Sequence, residues 1–158
     1  MQRLLGKIVL ALCIVLVVIQ LIPVSRTNPP VTADIPTSPA VKTVLRRACY
    51  DCHSNETVYP WYSHVAPASW LLAHDVSEGR EELNFSTWNQ YSAKDQGKKT
   101  HEIREVIVEG EMPPWYYTLI HRDAVLSSED RTVLQSWVGK VERSERRDDD
   151  RDNDEKPK

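Results

Sequence analysis

The sequence predicts a mainly α-helical fold: one small domain carried behind a single apolar helix. Three observations predict it. Apolar residues recur at helical spacing in several separate stretches. Strand-like alternation is sustained nowhere. The first two dozen residues hold an almost unbroken apolar run, from Ile8 to Ile22, interrupted only by Gln20.

That run defines the first segment, residues 1–24. With Leu4 and Leu5 it approaches the roughly 20 residues that a bilayer needs. Arg3 and Lys7 precede it, so the N-terminus is expected to stay inside and the remainder to cross. A cleaved export signal is the rival, but Pro23-Val24-Ser25-Arg26 lacks the small-residue cleavage pattern, which favours a retained anchor. Cys13 lies inside the run and reads as one more apolar residue. Residues 25–40 contain Pro29, Pro30, Pro36 and Pro39, and read as an extended, semi-rigid linker.

Residues 41–141 read as the domain. Val41, Val44, Leu45 and Ala48 mark one face of a first helix. Pro67 suits the first position of a second, which Gly79 would close. Ser86 to Tyr91 predicts a short helical turn. Thr100 is expected to cap a helix carrying Ile103, Val106 and Ile107 and ending at Gly110. Ser127 to Asp130 offers capping groups for a last helix, whose stripe is Val133, Leu134, Trp137, Val138 and Val141. Residues 142–158 are charged, lack apolar side chains and are expected to be disordered. The net charge of −3, without a basic stripe, gives no footprint for nucleic acid.

The chemistry-bearing motif is Cys49-Tyr50-Asp51-Cys52-His53. It is C-x-x-C-H, the pattern of c-type haem attachment. Two thiols at this spacing reach the two porphyrin vinyl groups, and the next residue puts an imidazole beneath the iron. Three rivals are weaker. A thioredoxin-like pair follows a strand, and none is visible. Structural zinc wants four ligands, and no second pair exists. A plain disulfide is the blandest reading.

One haem c is therefore expected, with His53 as proximal iron ligand. The opposite side of the iron takes Met or His, or stays open. Met112 is the one methionine beyond Met1, and it lies in Gly110-Glu111-Met112-Pro113-Pro114-Trp115. The two prolines forbid helix and stiffen the loop. A core methionine would more usually lie in an apolar periodic stretch, so Met112 reads as the distal ligand. His64 is the runner-up, and His74, His101 and His121 are weaker. Of the aromatics Trp61, Tyr62, Trp70, Trp88, Trp115, Tyr116 and Tyr117, most are expected to build core. Trp115 and Tyr116, beside Met112, are the candidates for packing on the porphyrin.

The order of these features resembles class I cytochromes c. More closely, the chain resembles the bacterial haem-binding domain family. The segments that carry the likeness are Cys49 to Thr57, Tyr59-Pro60-Trp61-Tyr62, Pro67-Ala68-Ser69-Trp70, Asn84-Phe85-Ser86-Thr87-Trp88 and Met112-Pro113-Pro114-Trp115-Tyr116. The resemblance spans about Val41 to Val141. It implies a cytochrome c-like helical domain around one covalent haem, with His53 and Met112 at the axial positions. It says little about the physiological partner.

The expected function is one-electron transfer by a membrane-anchored mono-haem cytochrome, single-pass in the inner membrane, its domain facing the periplasm or cell exterior. A saturated iron favours an electron carrier over an enzyme. The partners are the membrane and a redox protein that the sequence does not identify. The alternatives are a haem-based sensor or peroxidase-like enzyme with a displaceable distal ligand, and a haem-bearing subunit of a respiratory complex.

Overall fold

The structure, a computed structural model, describes residues 1–154; beyond Ser144 it describes side-chain surroundings only at Arg147. Among these described residues seven α-helices follow one another: α1 Gln2–Ile19, α2 Pro39–Ala48, α3 Tyr50–His53, α4 Ala68–Glu82, α5 Ala93–Glu109, α6 Trp115–Ile120 and α7 Ser128–Asp154. Short 3₁₀ turns lie at Trp61–His64, Trp88–Gln90 and Arg122–Ala124. Among the described residues there is no strand, only an isolated bridge between Ala33 and Thr87.

α1 is long and apolar enough to cross a membrane and buries none of its residues in the domain. At 18 residues it spans about 27 Å.

α2 forms as its apolar spacing requires. Ser38 caps it, Pro39 occupies its first turn, and Val41, Val44, Leu45 and Ala48 are the buried face. That face packs on α7, where Leu134 and Val138 are fully buried. An ion pair between Arg47 and Asp130, at 2.6 Å, closes one edge. Asp130 also completes a reciprocal cap: its N–H donates to Ser127 Oγ at 3.1 Å, while its carboxylate accepts from the Ser127 N–H at 2.9 Å. α5 lies against α7 and adds Ile103 and Ile107 to the core.

Three expectations about helix ends need correction. α4 starts one residue after Pro67, which sits at the cap, and it runs through Gly79 to Glu82. α5 starts at Ala93, seven residues before Thr100, because Ser92 caps it by accepting from the Asp95 N–H at 3.2 Å. Thr100 is instead buried mid-helix, its hydroxyl bonded back to the Gln96 carbonyl at 2.8 Å. Gly110 does end α5, in the left-handed conformation at φ 77°.

The proline-rich stretch is extended, as its prolines demand, but it does not stand free of the domain. Ile35 is in the core. The Thr32 N–H donates to the Ser86 carbonyl at 2.9 Å, and Asn55 Nδ2 to the Pro30 carbonyl at 2.9 Å. Arg80 of α4 grips Thr27 and Asn28. Buried polar groups in the domain take these backbone partners, so the segment is laid against it.

The charged segment from Glu142, expected to lack structure, continues α7 as far as Asp154. Its first residue is tied to α5, with His101 at 2.9 Å and Arg104 at 3.3 Å from Glu142. Helix propagation from an anchored stripe costs far less than nucleation. Residues 155–158 lie outside those described.

Candidate haem site

The site is assembled where α2 hands over to α3. Cys49 ends α2, its N–H still bonded to the Leu45 carbonyl, and the His53 N–H closes the next turn on the Cys49 carbonyl at 2.9 Å. Cys49, Cys52 and His53 thereby come to one wall of a cavity of about 250 Å³. α4 forms the adjoining wall with Asp75, Glu78, Gly79 and Glu82, one helical face at i, i+3, i+4 and i+7. Apolar cover comes from Phe85, Ile103, Val106, Ile107 and Leu126, and Met112, Pro113 and Pro114 complete the lining.

α3 and α4 can approach closely because residue 79 has no side chain. A Cβ there would lie 2.8 Å from the Cys52 carbonyl oxygen. The closeness fixes the imidazole. His53 Nδ1 lies 2.8 Å from the Gly79 carbonyl and 3.1 Å from that of Leu83. Carbonyls only accept, so Nδ1 carries the proton and Nε2 keeps the lone pair. Burial holds the imidazole below its ordinary pKa, against the opposing pull of the two carbonyls. A neutral ring with a committed Nδ1 is the form that ligates a metal through Nε2. The Phe85 ring backs it edge-on, 6.4 Å between centroids.

Both thiols are free. Burial pushes each up to about 12, aided for Cys49 by Cys52 and for Cys52 by the carboxylates of Asp75 and Asp51. Among the described residues no group of three or more His, Cys, Asp and Glu side chains could hold a metal ion, so nothing completes a zinc site around the pair.

Met112 is held by the turn that ends α5: the N–H groups of Glu111 and Met112 both donate to the Val106 carbonyl, at 3.0 and 3.3 Å. It is 37% exposed and faces the cavity that His53 lines. Tyr116 also lines it, its hydroxyl donating to Asp75 at 3.2 Å. Trp115, expected to pack on the porphyrin, is not on this wall. It is 74% exposed at the start of α6, edge-on to Tyr116. His64 is not brought to the thiols either, and lines a separate hollow with Gln20 and Arg26.

Sequence reasoning missed three contributors. The carbonyls of Gly79 and Leu83 carry no sequence mark of their role. Tyr117 lines the cavity and donates to Asp51 at 2.8 Å, holding the middle of the motif. Its sequence context groups it with the core aromatics, because only the turn of α6 aims it here. His121 stacks on the Tyr117 ring at 4.2 Å and bonds the Tyr62 hydroxyl at 2.6 Å.

Two thiols, a committed imidazole and a thioether around one apolar hollow form a donor set that fits haem. A model of the haem-binding domain family matches residues 14–140. The chain belongs to that family. The match takes in the proline-rich stretch, in keeping with its packing on the haem-binding domain. The chain is also similar to the cytochrome c peroxidase Ccp of Escherichia coli (strain K12), 24% identical over 97 residues. These are 60% of this chain but only 21% of that protein, so the similarity spans about a fifth of the relative's length. No solved structure matches.

Proposed function

We propose that this haem-binding domain is a membrane-anchored, mono-haem c-type cytochrome that exchanges single electrons with a partner protein outside the cytoplasm. The observation that carries the reading is the sharing of one cavity by Cys49, Cys52, His53 and Met112. Bound haem would supply a one-electron ferrous–ferric couple. The residues do the rest. Cys49 and Cys52 would hold the group covalently. His53 presents Nε2, kept in place by its Nδ1 bonds to Gly79 and Leu83. Met112, on the loop after α5 that lines the same cavity, would offer a thioether. The apolar side chains of Phe85, Ile103 and Ile107 exclude water. α1 keeps the domain at the membrane, with Arg3 and Lys7 on the inner side.

Met112→Ala tests the ligation. The protein is made with c-type maturation machinery and titrated optically. The expected result is a midpoint potential lower by on the order of 0.1 V or more, with the ferrous form gaining an affinity for carbon monoxide. A variant matching wild type in both would remove Met112 from the iron.

A second reading, a peroxidase-like or gas-sensing protein, is favoured by the similarity to Ccp and by the partial exposure of Met112. It requires a displaceable thioether. Wild-type ferrous protein that binds carbon monoxide at micromolar gas concentrations, or ferric protein that consumes peroxide, would select it.

A further inference from the structure

The surface around the end of α1 combines exposed apolar side chains with sequence that holds no acid, and it is tied to the helix itself. Gln20, one residue past α1, holds both backbone groups of Ala66. The Ala66 N–H donates to Gln20 Oε1 at 2.8 Å, and Nε2 donates to the Ala66 carbonyl at 3.2 Å. Arg26 Nη1 donates to the Ser63 carbonyl at 3.2 Å. Arg80 then fixes Thr27 at 2.8 Å and Asn28 at 2.7 Å. The exit of α1 is pinned at successive points, so residues 58–71 are held beside it.

That segment shows apolar side chains to solvent. Trp61 is 79% exposed, Val65 45% and Leu71 50%, and Leu21 at the end of α1 is 78% exposed. The chain has 23 acidic residues, yet none falls in 1–33 or 57–73, where Arg26 and His64 lie; His74, at the border, already meets the carboxylate of Glu78 at 3.3 Å. Exposed apolar and aromatic side chains, with basic groups and without carboxylates, are what a bilayer interface favours. An anionic leaflet would repel the acids that crowd the rest of the domain.

We propose that this face lies on the bilayer, with Trp61, Val65 and Leu71 in the interfacial layer, so that the domain is seated on the membrane in one orientation. The proposal rests on reading α1 as a retained span. Lipid is the occupant because the face is continuous with the end of that span and clamped to it.

The test uses the full haem-loaded chain in vesicles of zwitterionic and anionic phospholipid, with acyl chains brominated either close to the headgroup or at the tail end. The shallow bromines should quench tryptophan emission more than the deep ones. Trp61→Phe should abolish roughly half or more of the quenchable signal. Its exposure means that the fold tolerates the change. Quenching unchanged by Trp61→Phe, in protein that stays with the vesicles through an alkaline carbonate wash, overturns the seating and leaves the span standing. Protein released by that wash overturns the span, and the seating with it.

Discussion

Gly79→Ala sets two physical effects against each other. Gly79 lies inside α4, where alanine is better by about 1 kcal/mol on helix propensity. If the local helix decided, the variant would be stabilised. The structure predicts the reverse. A Cβ at 79 meets the Cys52 carbonyl oxygen at 2.8 Å and the Cys52 carbonyl carbon and Cβ at 3.1 Å. These are a neighbouring helix's backbone and a short side chain, which cannot swing aside. Relief means moving α4 from α3 until 2.8 Å becomes the 3.4 Å of ordinary contact. Overpacking of this kind costs about 1–3 kcal/mol. The same movement stretches the 2.8 Å bond from His53 Nδ1 to the Gly79 carbonyl, worth about 1 kcal/mol. The net expectation is a loss of about 1–3 kcal/mol, or a Tm lower by roughly 5–15 °C for a domain of this size. Thermal unfolding by far-ultraviolet circular dichroism, at matched haem content, reads it. A Tm equal to or above wild type would show that α3 and α4 are not in contact through this residue, and the account of the fixed imidazole would fall with it.

Three further expectations follow from other contacts. Cys52→Ser should leave one thioether and one conjugated vinyl group, moving the absorption of the reduced pyridine adduct to longer wavelength; haem extracted from wild type by acidified acetone would refute covalent attachment. Arg80→Ala removes bonds to Ser54, Thr27, Asn28 and Thr57 and should cost about 2–4 kcal/mol, with early proteolysis in residues 24–34; an unchanged digestion pattern would show that the stretch is held without it. Asp34 accepts from the Tyr50 hydroxyl and pairs with Lys42 at 2.7 Å. Burial pushes its carboxyl up, but the bonds to Lys42 and Tyr50 and the Lys42 charge outweigh this and hold it below the ordinary value. A depressed carboxyl stabilises fully above its unfolded pKa of about 3.9 and loses that contribution as pH falls through the folded value. Asp34→Asn should therefore cost about 1 kcal/mol at pH 7, and the gap to wild type should close below about pH 4. Denaturant midpoints across that range would show it, and a gap constant with pH would contradict it.

The helix that leads into the haem motif was legible because Val41, Val44, Leu45 and Ala48 repeat at the period of a single buried face. The same holds for Leu134 and Val138 in α7. Gly110 was legible because a left-handed residue after an apolar stretch nearly demands glycine. Gly79 was misread for the complementary reason. A glycine that ends a helix and one that admits a neighbouring backbone look alike until the neighbour is placed. Thr100 and Ser92 both have capping side chains, and only burial tells that Thr100 is interior. The proline-rich stretch was extended as read, but its partners Thr57, Arg80 and Ser86 lie 29 to 54 residues away, beyond any local signal.

By itself the sequence determined what depends on covalent spacing and local period: two thiols and an imidazole within five residues, a stiff loop holding Met112, an apolar run of membrane length and amphipathic helices. The tertiary structure decided which imidazole nitrogen is free, which carboxylates face the thiols and which aromatics share the cavity. It turned Trp115 to solvent and brought Tyr117 to the motif. These outcomes depend on contacts between segments dozens of residues apart, whose geometry is set by helix packing and not by any residue's own preference.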